Sequence, residues 1–489
     1  MLSGHPNTLS QAADWLFTLV AAVSAIWAAS HALLHNRDPR ATWGWILSCW
    51  LLPIAGPLLY FAFGINRVQR RARRLRPAVL RSMPKPFAHA YSLLSPQLHP
   101  LAHIAEAVSG QLLLPGNSVE PLHNGEQAYP KMLAAIAAAR HSVLLASYIF
   151  ELDEIGKQFI AELAAAKARG VDVRVLIDGT ADLGSARNSV ATQLRLQQVA
   201  VEIFHPLTGI KRGLSLNLNL RNHRKLAIID GVVAFTGGMN ISAHSLAQKK
   251  DAAWVETDMH FALTGPIVGP LTEAFIEDWH YAGGSRRALP LETSAASSSL
   301  VAVSPEGTAS CRVISDGPNE DFGHLVLVLI AAIAAARHRV QIMTPYFLPT
   351  RELITALHSA ALRGIAVEVF LPAVSDHRVI HYASRHLLRE MLERGVRVYY
   401  QAAPFSHSKL FVMDDSYALI GSANMDPRSL RLNFELNVEV YQARLAGQLH
   451  QHFDSVRASA TPLTVSQLRK LPLWQRLRDA VCWLFSPYL

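Results

Sequence analysis

Cysteine is scarce in this sequence, which excludes two common ways of stabilising a small fold. Cys49, Cys311 and Cys482 lie far apart among 489 residues. They therefore form neither a disulfide framework nor the paired spacing of a zinc site. A chain of this length is also too long for one compact core, so we expect two domains and additional segments.

Negative charge is in deficit as well. The chain has 37 aspartate and glutamate residues against 46 lysine and arginine residues, which makes a formal net charge of +9. This excess favours an anionic partner, such as nucleic acid, a phosphate compound or an acidic membrane surface.

Charged residues are absent from two long apolar runs near the N-terminus. Residues 15–34 read WLFTLVAAVSAIWAASHALL, and residues 42–65 read TWGWILSCWLLPIAGPLLYFAFGI. One helical crossing of a bilayer requires about 20 such residues. Only HNRDPRA separates the runs, so we predict a hairpin of two transmembrane helices within residues 1–66. Buried core helices are the alternative, which the length and the lack of charge disfavour.

A cluster of basic residues follows the second run: Arg67, Arg70, Arg71, Arg73, Arg74, Arg76, Arg81 and Lys85. Residues 67–109 are therefore interpreted as a basic juxtamembrane linker that contacts anionic lipid head groups. Because basic flanks stay on the cytoplasmic side of a membrane, the rest of the chain is predicted to be cytoplasmic.

The remaining sequence contains an internal repeat. Residues 134–150, AAIAAARHSVLLASYIF, match residues 331–347, AAIAAARHRVQIMTPYF. Each copy reads as a helix, a charged break and a strand, which predicts an α/β fold with a largely parallel sheet. The two halves are placed at 110–290 and 308–460, and the small, polar residues 291–307 are predicted to link them.

Each half also contains the spacing His-x-Lys-x4-Asp-x6-Gly-[Gly/Ser]-x-Asn. In a strand, residues two apart share a face, so the histidine and the lysine point the same way. Asp230-Gly231 between apolar runs is a strong hairpin signal. Folding back at this turn brings Gly238 and Asn240 opposite His223. The second copy consists of His407, Lys409, Asp414, Ser422 and Asn424.

These residue types suit a phosphodiester. Lysine supplies charge and asparagine a directed donor to the non-bridging oxygens. One neutral imidazole can attack phosphorus while a protonated partner gives its proton to the leaving alkoxide. No metal or cofactor is predicted, because a lysine beside each histidine would repel a cation and zinc spacings are absent.

This duplicated spacing resembles the signature of the phospholipase D superfamily. Together with the apolar N-terminal runs, TPYFLP from Thr344 and the C-terminal residues 471–489, it is most similar to bacterial cardiolipin synthases. The resemblance covers nearly the whole chain. It implies two tandem phospholipase D-like α/β domains related by a pseudo-twofold axis.

The resemblance also implies roles for individual residues. His223 would be the nucleophile and His407 the general acid and base, although the residues themselves leave this order open. Asp258 and Glu435 would orient the histidines, with Glu256 and Glu439 as neighbouring alternatives. Lys225 and Lys409 would belong to the catalytic motif and hold the phosphate through their charge. Asn240, Ser422 and Asn424 would also bind the phosphate. Asp230 and Asp414 are part of the catalytic motif and would have a structural or electrostatic role at the turns. Gly238 departs from the usual serine, so one hydroxyl is lost. A modest effect is expected, because the lysine and the asparagine remain and Ser422 is present in the other half; unequal roles of the two halves are the alternative.

The implied reaction transfers a phosphatidyl group from one phosphatidylglycerol to another through a phosphohistidine, giving cardiolipin and glycerol. Hydrolysis to phosphatidic acid, or another lipid alcohol as acceptor, are the alternatives. A nuclease is disfavoured, because no stacking aromatics interleave with basic residues near the motifs. A lipid-binding scaffold would need no such pair of histidines. The expected partners are phosphatidylglycerol and other anionic lipids, not nucleic acid, and the expected location is the bacterial inner membrane as a multi-pass protein; the oligomeric state stays open.

The C-terminal residues 461–489 are predicted to form a basic amphipathic helix. Apolar residues recur near helical spacing between basic ones: Leu468, Leu471, Trp474, Leu477, Val481, Leu484 and Phe485 among Arg469, Lys470, Arg476 and Arg478. This pattern is typical of a helix on an anionic interface. A helix packed on the catalytic core is the alternative.

Overall fold

A computed structural model of the chain describes residues 8–35, 39–64, 88–180, 189–205, 220–248, 254–285, 308–317 and 323–486. The chain divides into two compact units, residues 1–75 and 76–489. The arginine-rich part of the predicted linker and the predicted segment 291–307 lie outside the described residues.

The first unit contains one long apolar helix, Thr8–His35. Within it, Asp14–His35 is the helix of the described residues that is long and apolar enough to cross a membrane. Its small residues Ala25, Ala28 and Ala32 are buried together with Cys49 and Tyr60. Small side chains at this spacing allow a neighbouring backbone to approach closely.

The second predicted span does not form one continuous helix. It is divided into helix Pro39–Leu51, helix Ala55–Leu59 and the π-helical turn Tyr60–Gly64. Pro53 and Pro57 lack the amide hydrogen that a continuous helix needs, and this accounts for the interruption. None of these elements has the roughly 20 residues of a bilayer crossing. The predicted two-helix hairpin is therefore replaced by one long helix and a broken apolar segment.

The second unit is a mixed α/β structure. Its strands are β1 Leu114–His123, β2 Ser142–Ser147, β3 Asp172–Asp178, β4 Ala200–Phe204, β5 Leu226–Ile229, β6 Val233–Gly237, β7 Glu256–Thr257, β8 Met259–Thr264, β9 Ala309–Asp316, β10 Arg339–Met343, β11 Ala366–Pro372, β12 Arg397–Gln401, β13 Phe405–Ser406, β14 Leu410–Met413, β15 Tyr417–Gly421, β16 Glu435–Tyr441 and β17 Thr461–Leu463. Its α-helices are Ala88–Ser92, His99–Ser109, Asn124–Ala138, Glu154–Ala168, Val190–Leu196, Val268–Tyr281, His324–Ala335, Arg351–Leu362, Arg378–Glu393, Pro427–Arg431, Ala443–Ser459, Val465–Arg469 and Leu473–Leu484, with 3₁₀ turns at Pro96–Leu98 and Ala243–Ser245.

Fifteen of the described strands form one sheet in the order β17-β12-β11-β10-β14-β15-β16-β9-β1-β8-β6-β5-β2-β3-β4. The two halves meet at the antiparallel pair β1–β9, and each repeats the same order outward from it. The expectation of a largely parallel sheet is corrected: β2-β3-β4 and β10-β11-β12 are parallel, and the other neighbours are antiparallel. Helical crossovers produce the parallel pairs, whereas strands joined by tight turns must be antiparallel.

Two predicted boundaries differ from the structure. Helices Ala88–Ser92 and His99–Ser109 lie in the range predicted as linker, yet Tyr91, Leu101 and Ala105 belong to the core of the second half. Burial of these apolar side chains outweighs the basic character of the preceding residues. The predicted C-terminal helix is instead a strand and two short helices, because Pro472 cannot continue the first of them.

A shared core fixes the two halves against each other. Helices Val268–Tyr281 and Ala443–Ser459 pack against strands from both halves, with Phe275, Trp279 and Phe453 almost fully buried. Each such aromatic side chain removes a large apolar area from water. The two histidine motifs are therefore held on one rigid framework.

Candidate active site

Two hairpins carry the repeated motifs. In the first, Leu226 of β5 lies opposite Thr236 of β6, and in the second, Leu410 of β14 lies opposite Ile420 of β15. Asp230 and Gly231 both have positive φ angles, 53° and 68°, as the tight turn requires. The hairpins predicted from the spacing are confirmed.

The aspartates of the motifs lie at the far ends of these hairpins. Asp230 accepts hydrogen bonds from the backbone amides of Arg140, His141 and Ser142, and Asp414 makes the same contacts with residues 337–339. At about 3.3 Å per strand residue, each is roughly 20 Å from its histidine. Their grouping with the catalytic residues is therefore corrected: both stabilise a helix-to-strand turn.

Each histidine is hydrogen-bonded to a carboxylate from the other half. Nδ1 of His223 lies 3.1 Å from Oε2 of Glu435, and Nδ1 of His407 lies 2.8 Å from Oδ2 of Asp258. All four side chains are buried. The crossed pairs bring both histidines to the same junction between the halves.

Backbone pairing between the halves places each histidine next to the carboxylate of the other half. β7 of the first half and β13 of the second form a separate parallel ribbon, and the amide of His407 donates to the carbonyl of Thr257 at 2.8 Å. The other histidine is held in the same way. Asn222 and Phe434 form a parallel bridge, and the carbonyl of Phe434 accepts a hydrogen bond from the amide of His223 at 3.0 Å. These contacts determine which carboxylate faces which histidine.

The neighbouring acidic residues named as alternatives have other partners. Glu256 accepts from Nε1 of Trp254 at 3.1 Å. Glu439 is fully buried and accepts from Arg312 at 3.1 Å and from Tyr417 at 2.9 Å. Asp258 and Glu435 are therefore the carboxylates in contact with the histidines.

Both lysines are buried beside their histidines. Nζ of Lys225 donates to the carbonyl of His223 at 2.7 Å, and Lys409 donates to the carbonyl of His407. The ring of Tyr148 packs against the ring of His223, with centroids 4.9 Å apart, and against Nζ of Lys225 at 5.1 Å. The lysine ammonium groups thus line the junction rather than pointing into bulk water.

Burial controls the protonation of these groups. It lowers the pKa of His223 to about 4, an effect that the Glu435 carboxylate opposes. Burial and the nearby charge of Lys409 lower the pKa of Lys225 to about 7. Burial alone would raise the pKa of Asp258, but the charge of Lys409 and the hydrogen bond from His407 outweigh it and hold that pKa below its ordinary value. His223 is therefore neutral at neutral pH, while Asp258 is ionised.

The amides and the hydroxyl of the motifs lie in the same region but differ between the halves. Oδ1 of Asn240 accepts from the amide of Ile149 at 3.2 Å. Oδ1 of Asn424 is buried without a hydrogen-bond partner among the described residues. Ser422 donates to Glu435, a contact that Gly238 cannot make in the other half.

The structure explains why Gly238 has no side chain. A Cβ atom at this position would lie 2.4 and 2.5 Å from the two carboxylate oxygens of Asp258, which is closer than real Cβ contacts allow. Asp258 instead accepts from the amide of Met259 at 2.7 Å. In the first half, Gly238 leaves room for the carboxylate of Asp258. In the second half, Ser422 donates a hydrogen bond to the carboxylate of Glu435.

Replacement of Gly238 by serine should slow turnover by about tenfold or more, because displacement of a catalytic group by about 1 Å can cost two orders of magnitude. The new side chain would push the Asp258 carboxylate away from His407. Steady-state rates of the purified variant measure this. Gly269→Ser is the matched control, since nothing lies within 4 Å of a Cβ there. Equal rates for both variants and the wild type would contradict this explanation of Gly238.

Sequence reasoning missed the residues that support the segment before His223. Asp178 accepts from the amide of Asn222 at 2.8 Å, and Asp278 accepts from the side chains of Asn222 and Arg224 at 2.8 and 3.1 Å. Two features of the sequence could have indicated these residues. Asp178 ends the apolar strand β3, and Asp278 lies within the largely apolar helix Val268–Tyr281. Charged groups in such places are normally paired.

His260 was also missed. It lies two residues after Asp258 on the same face and is buried, and its Nδ1 has no hydrogen-bond partner among the described residues. Burial lowers its pKa to about 4, so the ring is neutral. Among the described residues, no group of three or more histidine, cysteine or acidic side chains could hold a metal ion.

Comparison with known proteins agrees with this geometry. A family model described as "Cardiolipin synthase, PLD-like domain" matches residues 132–279 and 329–457, and one described as "Phospholipase_D-nuclease N-terminal" matches residues 23–64. The crystal structure of phosphatidylserine synthase from Haemophilus influenzae superposes with a TM-score of 0.61 at 17% identity, covering 80% of this chain and 100% of that one. This likeness concerns the fold alone. The family model, which matches more than half of the chain, identifies a protein of the phospholipase D-like class.

Relatives that match over nearly the whole chain show which family within this class the protein belongs to. The chain is 33% identical over 481 residues to a cardiolipin synthase from Geobacillus kaustophilus, covering 97% of this chain and 94% of that protein. It is 30% identical over 469 residues to the major cardiolipin synthase of Bacillus subtilis, covering 93% and 95%. The chain belongs to the cardiolipin synthase family of phospholipase D-like proteins.

Proposed function

We propose that this protein is a phosphatidyltransferase that makes cardiolipin, moving the phosphatidyl group of one phosphatidylglycerol onto a second and releasing glycerol. The observation that carries the proposal is the crossed pairing of His223 with Glu435 and of His407 with Asp258 at one junction. A double displacement requires two imidazoles with different tasks, held near one phosphorus atom.

His223 is the nucleophile in this proposal. Its Nδ1 faces Glu435, which favours the tautomer with the proton on Nδ1 and a lone pair on Nε2. With a pKa of about 4, the ring is neutral when substrate arrives. Nε2 bonds to phosphorus, the bond from phosphorus to the glycerol oxygen breaks, and His407 gives that oxygen its proton.

The second half-reaction reverses these steps with another alcohol. The free hydroxyl of a second phosphatidylglycerol gives its proton to His407 and its oxygen bonds to phosphorus, which releases His223. One phosphodiester replaces another, so no external energy source is needed. Lys225, Lys409, Asn240 and Asn424 hold the non-bridging oxygens. Ser422, which the resemblance assigned to the phosphate, donates to Glu435, so we propose that it helps Glu435 to orient His223.

The test uses purified protein and phosphatidylglycerol labelled separately in the glycerol head group and in the acyl chains. We expect cardiolipin and free glycerol in equal amounts. Phosphatidic acid without cardiolipin would identify a hydrolytic phospholipase D instead. Adding a different lipid that has a free head-group hydroxyl as competitor tests the choice of acceptor, because a mixed product appears if that alcohol is accepted.

Membrane association follows from the family and from the apolar N-terminal helix. We propose further that the protein is an integral protein of the bacterial inner membrane, anchored by its long apolar helix Thr8–His35, with both catalytic halves in the cytoplasm. The basic residues 67–85 support this orientation, since such flanks remain cytoplasmic.

Both motifs belong to one chain, so a single copy completes the site. Residues 110–290 and 308–460 are proposed as the two halves.

The pH dependence of turnover tests the protonation states. A nucleophilic imidazole must be neutral, and a pKa near 4 lies below the ordinary value of 6.5, so the acid limb assigned to His223 should lie near pH 4 rather than 6.5. Lys225 binds phosphate when charged, and with a pKa of about 7 it loses its proton as pH rises through neutrality. We therefore expect kcat/KM to fall above about pH 7, since this ratio reports the free enzyme. A profile from pH 4 to 9 with its acid midpoint near 6.5 would contradict the assignment.

A further inference from the structure

The C-terminal helix Leu473–Leu484 exposes a stripe of large apolar residues. The stripe residues are each more than half exposed: Leu473, Trp474, Leu477, Val481, Leu484 and Phe485, the last directly after the helix. Their spacing of three and four residues places them on one side of the helix. A contiguous apolar surface of this kind on a soluble unit marks an interaction site.

The opposite side of this helix is anchored to helix Arg378–Glu393. Asp479 is buried and accepts two hydrogen bonds from Arg385, at 2.6 and 2.9 Å. The guanidinium of Arg478 lies 3.6 Å from the ring centroid of Tyr382. A buried bidentate pair of this type holds a helix in one orientation. The stripe is therefore presented outward by a fixed element.

The exposed charge of the C-terminal segment itself is of one sign, although Arg469 pairs with Glu393 of helix Arg378–Glu393 at 3.1 Å and Arg478 pairs with Asp479 at 3.1 Å. The charged residues of the C-terminal segment from 461 onward are Arg469, Lys470, Arg476, Arg478 and Asp479. Asp479, the single acidic one, is buried against Arg385. Apolar side chains flanked by basic ones fit the boundary between acyl chains and anionic head groups.

The helix that anchors the C-terminal helix leads to the candidate active site. Helix Arg378–Glu393 follows a loop in which Asp376 accepts from the hydroxyl of Tyr346 at 2.6 Å. The same carboxylate lies near enough to Lys409 to oppose the lowering of its pKa by burial. Val374 and Val379, on either side of Asp376, are about half exposed. The loop beside the candidate site therefore also exposes apolar side chains.

We propose that the stripe, together with Val374 and Val379, is a membrane-docking surface that holds the catalytic unit on an anionic leaflet. The occupant is a lipid bilayer rather than a protein: the stripe supplies side chains for the acyl region, and the exposed Lys470 and Arg476 supply positive charge for the head groups. The docking surface stands independently of the reaction, and only its consequence for turnover rests on the proposed function.

Depth-dependent quenching tests the contact directly. Full-length protein carrying Val481→Cys and Cys482→Ser is labelled with an environment-sensitive fluorophore and reconstituted in vesicles of phosphatidylglycerol and phosphatidylcholine with spin-labelled lipids. Val232→Cys, in the exposed turn of the first hairpin, is the control, again with Cys482→Ser. We expect the lipid quencher to reduce the signal at position 481 by about twofold or more, as for a helix at the interface, and not at position 232.

The outcomes separate the possible occupants. A label at position 481 that is quenched only by aqueous quenchers shows an uncovered stripe and overturns the proposal. A label that neither lipid nor aqueous quenchers reach shows a stripe covered by protein, either a second copy or this chain itself, and overturns it as well. These results do not depend on whether cardiolipin is the product.

A functional test compares Leu477→Glu/Val481→Glu with the control Leu196→Glu/Leu362→Glu, which alters two exposed leucines elsewhere. The measurement is the ratio of activity on bilayer phosphatidylglycerol to activity on monomeric short-chain phosphatidylglycerol. We expect the first pair to lower this ratio by about tenfold, because charge on an inserted face opposes binding. Thermal unfolding of both proteins establishes that they are folded. An unchanged ratio overturns the proposal, whereas a wild type that makes no cardiolipin refutes the proposed function instead.

Discussion

Replacement of His223 by alanine should reduce cardiolipin formation by at least about a thousandfold, because removal of a nucleophile leaves only binding and electrostatic contributions. The side chain is buried, and the backbone around it is held through the amide of His223 and the carbonyl of Phe434. The variant should therefore keep its fold and its association with lipid. Product formation is measured with labelled phosphatidylglycerol.

His407→Ala should cause a loss of similar size on phosphatidylglycerol, for a different reason. The glycerol alkoxide is a poor leaving group without a proton donor. A phosphatidyl ester with a nitrophenol leaving group needs no such proton, so His407→Ala should release nitrophenol and accumulate phospho-enzyme. His223→Ala should do neither.

The matched control is His338→Ala, an exposed histidine at a helix-to-strand turn. It should retain wild-type rates with both substrates. Phospho-enzyme in His223→Ala but not in His407→Ala would reverse the two roles. Undiminished cardiolipin synthesis in either site variant would refute the double displacement altogether.

Asp258→Asn should lower kcat by about a hundredfold or more, as the loss of an orienting carboxylate does in catalytic triads. The carboxylate lies 2.8 Å from Nδ1 of His407, and it stabilises the imidazolium that must donate the proton. An amide of the same shape supplies no charge. Because the group acts after binding, KM should change little.

Glu256→Gln is the matched control for this carboxylate. Glu256 lies two residues earlier and is bonded to Trp254, so its substitution should alter kcat by less than about threefold. If Glu256→Gln were the more damaging variant, the pairing between Asp258 and His407 would not operate during turnover. Thermal unfolding of both variants separates a kinetic effect from a loss of fold.

Different parts of the fold and site were accessible from the sequence to different degrees. The repeated spacing was sufficient for the hairpins of Lys225 and Lys409, because alternation and turn residues act between near neighbours. Hydropathy predicts one span for the second apolar run, since it counts apolar residues but gives no weight to the amide hydrogens that Pro53 and Pro57 lack. The sequence predicts a linker where helix His99–Ser109 lies, because the partners of this helix in the core are more than two hundred residues later, Arg312 for example.

The sequence by itself determined the duplicated halves, the His-x-Lys hairpins and the phosphodiester chemistry, since each depends on residue type and short-range spacing. Only the tertiary structure decided which carboxylate serves which histidine, because the partners are 212 residues apart for His223 and 149 for His407. It also decided which backbone amides Asp230 and Asp414 bind and that position 238 has no room for a side chain. Those contacts exist only after the two halves pack around their common core, which brings together atoms that no local pattern relates.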